Sequence, residues 1–139
     1  MQALHVKTKH RTQLLDITNE VRRIVQNSGA RSGICFLYVP HTTAGILINE
    51  HADPEVASDA EGAMDGLVPD DPRFKHAEGN TDSHVKTMLV GMSQFVFIEN
   101  GNLALGRWQG IFLAEFDGPR ERSLFVKIQE DAKTDGRRA

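Results

Sequence analysis

Six histidines stand in the chain, at positions 5, 10, 41, 51, 76 and 84. Three of them occupy settings where an imidazole can do chemistry. His41 follows the apolar run that ends at Val39-Pro40, so it lies at a strand end rather than inside the strand. His76 sits in the polar stretch Phe74-Lys75-His76-Ala77-Glu78-Gly79-Asn80, and His84 falls in the first turn of a predicted helix. A divalent transition metal takes neutral imidazole nitrogens that converge from rigid positions. Three such ligands would leave a fourth position open, as catalytic sites do. No H-x-x-x-H or H-E-x-x-H motif supports that reading, and the same imidazoles also suit backbone capping or a polar cleft.

The neighbours of these histidines are chemically suggestive too. His41-Thr42-Thr43 sets two hydroxyls beside an imidazole. Threonine nucleophiles act mostly from a chain N-terminus, so Thr42 and Thr43 read more simply as ligands to a phosphate, another small molecule or a turn. Asn49-Glu50-His51-Ala52-Asp53 closes a strand and opens a helix. Asp53 is most simply a helix N-cap; Glu50 has no such duty and is free to orient an imidazole or act as a base. Asp82 either caps the third helix or projects into a cleft beside His84. Lys86, Arg107, Arg120 and Arg122 are candidate phosphate ligands, with surface solvation as the alternative for each. Trp108, the single tryptophan, and Gln109 lie between Gly106 and Gly110. Glycines there let a ligand or another chain approach the backbone; a core Trp with its N–H bonded inside is the alternative.

The elements that must position these groups follow from periodicity. Alternation around Leu4 and Val6 predicts a half-exposed strand, with a possible partner at Gln13–Leu15. Asp16 is placed to cap a helix from about Ile17 to Asn27, with Ile17, Val21, Ile24 and Val25 inward and Gly29 at its C-terminal stop. Residues 33–39 read as a central strand and Ala44–Asn49 as another. Asp53-Pro54 opens a second helix to about Leu67, with Val56, Ala60, Ala63, Met64 and Leu67 as its buried stripe. A third helix starts near Thr81 or Asp82, with Val85, Met88, Leu89 and Met92 inward. Gln94–Ile98 is a strand, Asn100-Gly101 a type I′ hairpin signal, Gly106–Phe116 a long strand, and Leu124, Val126 and Ile128 alternate in the last one. The order, roughly ββαββααβββ, predicts an α+β fold with largely antiparallel sheets. No G-x-G-x-x-G is present, which argues against a dinucleotide-binding domain.

Composition narrows the functional classes. The chain of 139 residues carries a net charge of −3 and one cysteine, Cys35. That argues against a general nucleic-acid binder, which presents a basic surface. The charge is uneven: residues 50–82 hold ten acidic and two basic side chains. No apolar run approaches the ~20 residues of a membrane span, and Met1–Lys7 carries no signal-like apolar segment. A reducing cytoplasm is the expected compartment. One domain is expected over residues 1–128, followed by a polar tail, 129–139, that should fray.

Motif order then points to a family. His41-Thr42-Thr43-Ala44, Asn49-Glu50, Ala52-Asp53-Pro54, Gly79-Asn80, His84-Val85-Lys86 and Leu105-Gly106 with Trp108-Gln109-Gly110-Ile111 resemble the YjbQ family of small proteins, from about residue 5 to residue 128. The family usually has a small hydroxyl residue where this chain has Arg107. The resemblance implies two β-sheets with two or three flanking helices, a homotrimer, and a cleft with His41, His76 and His84 around a divalent metal. Zinc is the first choice for that metal, and magnesium the alternative with a diphosphate substrate. It also implies a secondary thiamine-phosphate synthase activity, which joins hydroxymethylpyrimidine diphosphate to a thiazole phosphate and releases diphosphate. In that reading Asp82 and Glu50 are the acid/base or orienting groups. Thr42, Thr43, Asn80, Lys86, Trp108, Gln109 and Arg122 would contact the phosphorylated metabolite. The same residues suit metal-assisted phosphate hydrolysis or a non-catalytic trimer that holds a metal or small anion. A physical reason for the trimer lies in Phe95-Val96-Phe97-Ile98 and Ile111-Phe112-Leu113: adjacent apolar residues make both strand faces apolar, and a neighbouring subunit can cover what the helices do not.

Overall fold

The apolar run after Gly33 does become a central strand. In a computed structural model of the chain, which describes residues 1–133, it lies between two antiparallel neighbours. The elements are β1 (Gln2–Lys7), β2 (Gln13–Asp16), α1 (Thr18–Ser28), β3 (Gly33–Tyr38), β4 (Ala44–Glu50), α2 (Pro54–Leu67), α3 (Thr81–Val90), β5 (Ser93–Glu99), β6 (Asn102–Leu103), β7 (Gln109–Glu115) and β8 (Glu121–Glu130). Five strands form one sheet in the order β1-β8-β3-β5-β6, and three form another in the order β2-β7-β4. All pairings are antiparallel. The core lies where the inner faces meet: Cys35, Leu37, Val96, Ile98, Leu124 and Val126 come from the larger sheet, and Ile46, Ile111 and Leu113 from the smaller. Val21 and Val25 of α1 join them. Among the described residues no helix is long and apolar enough to cross a membrane.

Several local expectations hold. Gly29 ends α1 with φ of 74°, the left-handed stop a Cβ would strain. Asp53 accepts the N–H of Glu55 at 2.9 Å and starts α2, and Asn100-Gly101 turns with both φ positive, 53° and 78°. Asp16 does not cap α1 in the usual position; Ile17 holds it, and Asp16 Oδ1 accepts from Thr18 N–H and Oγ1–H. A short strand, β6, adds one element to the expected order. β7 starts at Gln109 rather than Gly106, because Gln109 Oε1 takes the Gly106 N–H at 2.7 Å and folds residues 106–109 into a turn. β8 runs to Glu130, and the Asp131 N–H bonds the Ser32 carbonyl at 2.9 Å, so the first residues of the expected frayed tail are paired strand and its continuation. Residues 134–139 of that tail lie outside the described residues.

The two later helices differ from expectation in an informative way. α2 buries none of its residues: Val56 and Leu67 are exposed. α3 is inverted. Its buried residues are Asp82, Ser83, Lys86 and Thr87, while Met88 is 73% and Leu89 60% exposed. Positions 82/86 and 83/87 share one face at i,i+4 spacing, and ion pairs and hydroxyl bonds satisfy that face inside the protein. Met88 and Leu89 are left outside, whereas Val85 is half-buried and Met92 packs against the core as expected. The larger sheet likewise keeps an aromatic outer face. Phe36, Tyr38, Phe95 and Phe97 stay substantially exposed, with Phe36 opposite Phe95 in register. β7, by contrast, is buried from Gly110 to Glu115 within the chain.

The close approach of α3's end to β4 gives a stability test. A Cβ at Gly45 would stand 2.3 Å from the Gly91 carbonyl oxygen, whereas one at Gly62 in α2 meets nothing within 4 Å. Gly45→Ala should destabilise by about 1–3 kcal/mol, and Gly62→Ala should stabilise by about 0.5–1 kcal/mol. Denaturant midpoints of the two variants check this; shifts of equal sign would contradict the placement of α3.

Candidate functional site

A carboxylate inside the apolar strand Gln109–Glu115 needs a partner. Glu115 is fully buried at the end of β7, and Arg122, near the start of β8, is 4% exposed. Arg122 Nε donates to Glu115 Oε1 at 2.9 Å, and Nη2 donates to Glu115 Oε2 and to Thr43 Oγ1, the latter at 2.8 Å. Thr8, just beyond β1, donates its hydroxyl to Glu115 Oε1 at 2.7 Å and accepts the Arg120 N–H at 3.0 Å. The Asp117 N–H closes onto Glu115 Oε2 at 3.0 Å. A Cβ at Gly118 would stand 2.4 Å from the His10 carbonyl oxygen, so only glycine fits under that loop.

The β7–β8 turn also docks α3. Ser83 Oγ donates to the Phe116 carbonyl, and Asn80 Nδ2 donates to Asp117 Oδ2 at 2.8 Å. Arg120 bonds the same Asp117 oxygen at 3.1 Å. Asp82 does not cap its helix. It receives a two-pronged bond from Arg11, Nη1 to Oδ2 at 3.0 Å and Nη2 to Oδ1 at 3.1 Å. Lys86, 1% exposed, lies with Nζ 2.7 Å from Asp65 Oδ1 and 3.6 Å from Asp82 Oδ2. Thus the β1–β2 loop, α2, α3 and the β7–β8 turn meet in one polar network. One atom in it stands apart: Asn80 Oδ1 is buried with no hydrogen-bond partner. A swap of the amide ends would turn Oδ1 onto the Asp117 carboxylate, so the orphan is the acceptor.

The electrostatics follow the pairing. The Arg11 guanidinium holds the Asp82 carboxyl below its ordinary 3.8, against the effect of burial. Burial alone would raise Glu115, but Arg122, Thr8 and the Asp117 N–H outweigh it and hold it below 4.5. His41 is a half-buried imidazole whose Nε2 lies 3.1 Å from both the N–H and the carbonyl oxygen of Ser123. Desolvation first, and then the Arg122 charge, hold it below its ordinary 6.5 and so favour the neutral ring.

The sequence-predicted residues separate into groups. Thr43, Asn80, Asp82, Lys86 and Arg122 come together in the network, and Thr42 beside Thr43 is exposed. His76 and His84 meet edge to face with ring centroids 5.5 Å apart. Among the described residues, however, no group of three or more His, Cys, Asp or Glu side chains is close enough to hold a metal. One chain therefore does not assemble a metal centre from His41, His76 and His84. Glu50 pairs in register with Gln109, while Ala44 pairs with Glu115. The seven residues of β4 span roughly 23 Å, so Glu50, Trp108 and Gln109 stand at the opposite end of the smaller sheet from the network. Glu50 does have a structural duty: its Oε2 accepts the Ala52 N–H at 3.1 Å. Trp108 is not a core residue but 55% exposed, with the Arg107 guanidinium 4.7 Å from its ring centroid. Sequence reading missed Thr8, Arg11, Asp65 and Glu115. Of these, Glu115 alone carried a signal, as a carboxylate in an apolar strand run.

Residues 2–131 match the family described as UPF0047 protein YjbQ-like. UPF0047 protein MJ1081 of Methanocaldococcus jannaschii is 50% identical over 126 residues, covering 91% of each chain. UPF0047 protein YugU of Bacillus subtilis is 47% identical over 129 residues, covering 92% of this chain and 98% of its own. Among solved structures, an uncharacterized conserved protein of the YjbQ/UPF0047 family from Clostridium acetobutylicum superposes with a TM-score of 0.90 at 48% identity, over 93% of this chain and all of that one. The conserved hypothetical protein TT1486 of Thermus thermophilus gives 0.86 at 40% identity, over 93% and 100% of the two chains.

The network fixes a pH response. Asp82 and Glu115 are lowered in the folded chain, so their stabilisation is present above their ordinary values of 3.8 and 4.5 and is lost as pH falls through the folded values. His41 is also lowered; the unfolded chain takes up a proton near 6.5 that the folded chain resists, so stability declines below that value too. Unfolding free energy should therefore fall gently below pH 6.5 and more steeply below 4.5. Denaturant titrations across that range check it, and stability that rises on acidification would contradict the pairing.

Proposed function

The chain belongs to the UPF0047 protein YjbQ-like family, and from that premise we propose that it is an enzyme acting on a small phosphorylated metabolite at the Asn80–His84 edge of the buried network. The observation that carries this reading is Asn80 Oδ1, a buried acceptor with no partner beside two clustered imidazoles. A buried acceptor costs free energy unless a donor reaches it. A substrate N–H or O–H is such a donor, and the amino group of hydroxymethylpyrimidine diphosphate is one example.

In this reading the reaction is C–N bond formation with diphosphate as leaving group, as in secondary thiamine-phosphate synthases. Asn80 orients the ring. His84 and His76 face the departing charge. Asp82, Lys86 and Arg122 are paired with Arg11, Asp65 and Glu115, and Arg122 also holds Thr43, so in this reading they support the site rather than touch the reacting atoms. His76 and His84 would contribute to holding a divalent ion, zinc or magnesium, which would neutralise charge on the diphosphate.

A homotrimer is part of the same proposal. The exposed Phe36, Tyr38, Phe95 and Phe97 on the outer face of the larger sheet are what a neighbouring subunit would cover. Head-to-tail packing closes into rings, and it would bring Trp108 and Gln109 of one chain toward the network of the next, which they do not reach within a chain.

Incubation with hydroxymethylpyrimidine diphosphate and thiazole phosphate, with zinc and with magnesium, tests the activity. Product should form, and Asn80→Ala should lower the rate by about tenfold or more, the scale of one hydrogen bond. Yield no higher than a His84→Ala control with either metal would refute the reading. Light scattering at micromolar concentration should give a mass near three 15.4 kDa chains. A single-chain mass independent of concentration would rule out the trimer.

A further inference from the structure

The outer face of the smaller sheet carries a second arrangement. α2 lies against the outer face of that sheet, and none of its fourteen residues is buried. Beneath it run two adjoining cavities of about 320 and 290 Å³ that share Leu14, Glu50, Ala57 and Phe112. Each is within the size of small-molecule pockets. The smaller is walled mainly by apolar side chains, with Leu47, Val56 and Ala60 completing it. The larger adds polar side chains, among them His10, His51 and Asp16, to its apolar wall.

His51 is held in one orientation. Its N–H bonds the Trp108 carbonyl at 3.0 Å, and its ring lies on the β7 backbone, where a Cβ at Gly110 would stand 2.4 Å from the ring Cγ and Nδ1. Ring Nδ1 is 2.9 Å from Asp16 Oδ2. Asp16 is fixed in turn, since its Oδ1 accepts the Thr18 N–H at 3.0 Å and the Thr18 hydroxyl at 2.5 Å. Burial would raise the Asp16 carboxyl, but those bonds and His51 hold it below 3.8. An ionised carboxylate is an acceptor alone. Nδ1 of His51 therefore carries a proton toward Asp16.

Charge decides what the cleft receives. Asp16, Glu50, Asp53 and Glu61 line the larger cavity together with His10 and His51, and no Lys or Arg does. Glu50, Asp53 and Glu61 each engage one oxygen with a backbone N–H, of Ala52, Glu55 and Leu14, and keep the other. An anion entering here is repelled by four carboxylates with no compensating cation. A bare metal ion is not favoured either, because no three of these groups are close enough to hold one among the described residues. We propose that this cleft binds a small amphipathic amine, with its apolar chain under α2 and its ammonium donating to the free oxygens of Glu50 and Glu61. The site is independent of the reaction proposed at Asn80, and Glu50 belongs to it rather than to that reaction.

Hexylamine, hexanol and hexanoate, titrated into the full chain by ¹H–¹⁵N NMR, distinguish the possibilities. Hexylamine should shift the amides of Leu14, Leu47, Ala57 and Phe112 and the His51 ring signals saturably. It should bind at least tenfold tighter than hexanol, and hexanoate should not bind. Glu50→Gln/Glu61→Gln should remove the tenfold preference while leaving hexanol binding in place; Ala57→Phe should abolish both by filling the apolar cavity. No saturable shift, equal binding of hexanoate, or shifts centred on Phe95 and Phe97 instead would each overturn the proposal.

Discussion

Arg122 and Glu115 face each other across the one place where the chain passes directly from the small sheet to the large one. β7 belongs to the first sheet and β8 to the second. A guanidinium that is 4% exposed and a carboxylate that is fully buried cannot stand there singly. Removing water from either charge costs several kcal/mol, and only the other, with Thr43 and Thr8, offsets it. The pair is thus a constraint on geometry more than a source of stability. It sets the angle at which the two sheets meet and the path of the Asp117–Arg120 turn.

That turn then dictates how α3 lies. Its carbonyl and carboxylate groups accept from Ser83 and Asn80, so the helix must present its polar face inward. Asp82 and Lys86 are buried as a consequence, and each finds a counter-ion from another segment, Arg11 and Asp65. Met88 and Leu89 are turned outward by the same logic. Polar atoms fill one end of the molecule and apolar side chains are displaced to its surface. The orphaned Asn80 Oδ1 is the point at which this packing stops short.

Much of the scaffold was legible in the residues. The continuous run at 33–39, the Asp53-Pro54 helix start, the Gly29 stop and the Asn100-Gly101 turn are local signals whose physics needs no distant partner. α3 was misread at 88 and 89, which look like part of a buried stripe with 85 and 92, while its inward face depends on Arg11 and Asp65, far away in sequence. Trp108 was open between core and surface, and the Gln109 turn that exposes it is a side-chain bond no periodicity reports. For the site, the motif residues Thr43, Asn80, Lys86 and Arg122 do converge. Glu50 and Gln109 do not, since strand register carries them to the far end of β4. The three histidines were grouped by their settings and then by resemblance, and one chain clusters two of them.

A double-mutant cycle at the sheet crossing bears most directly on this picture. Glu115→Leu and Arg122→Met are made singly and together, and unfolding free energies are measured in denaturant. Each single change leaves an uncompensated buried charge and should lose about 3–5 kcal/mol, whereas the double change should recover most of that loss. Single losses below about 1 kcal/mol that simply add in the double variant would show that the buried pair does not govern the fold.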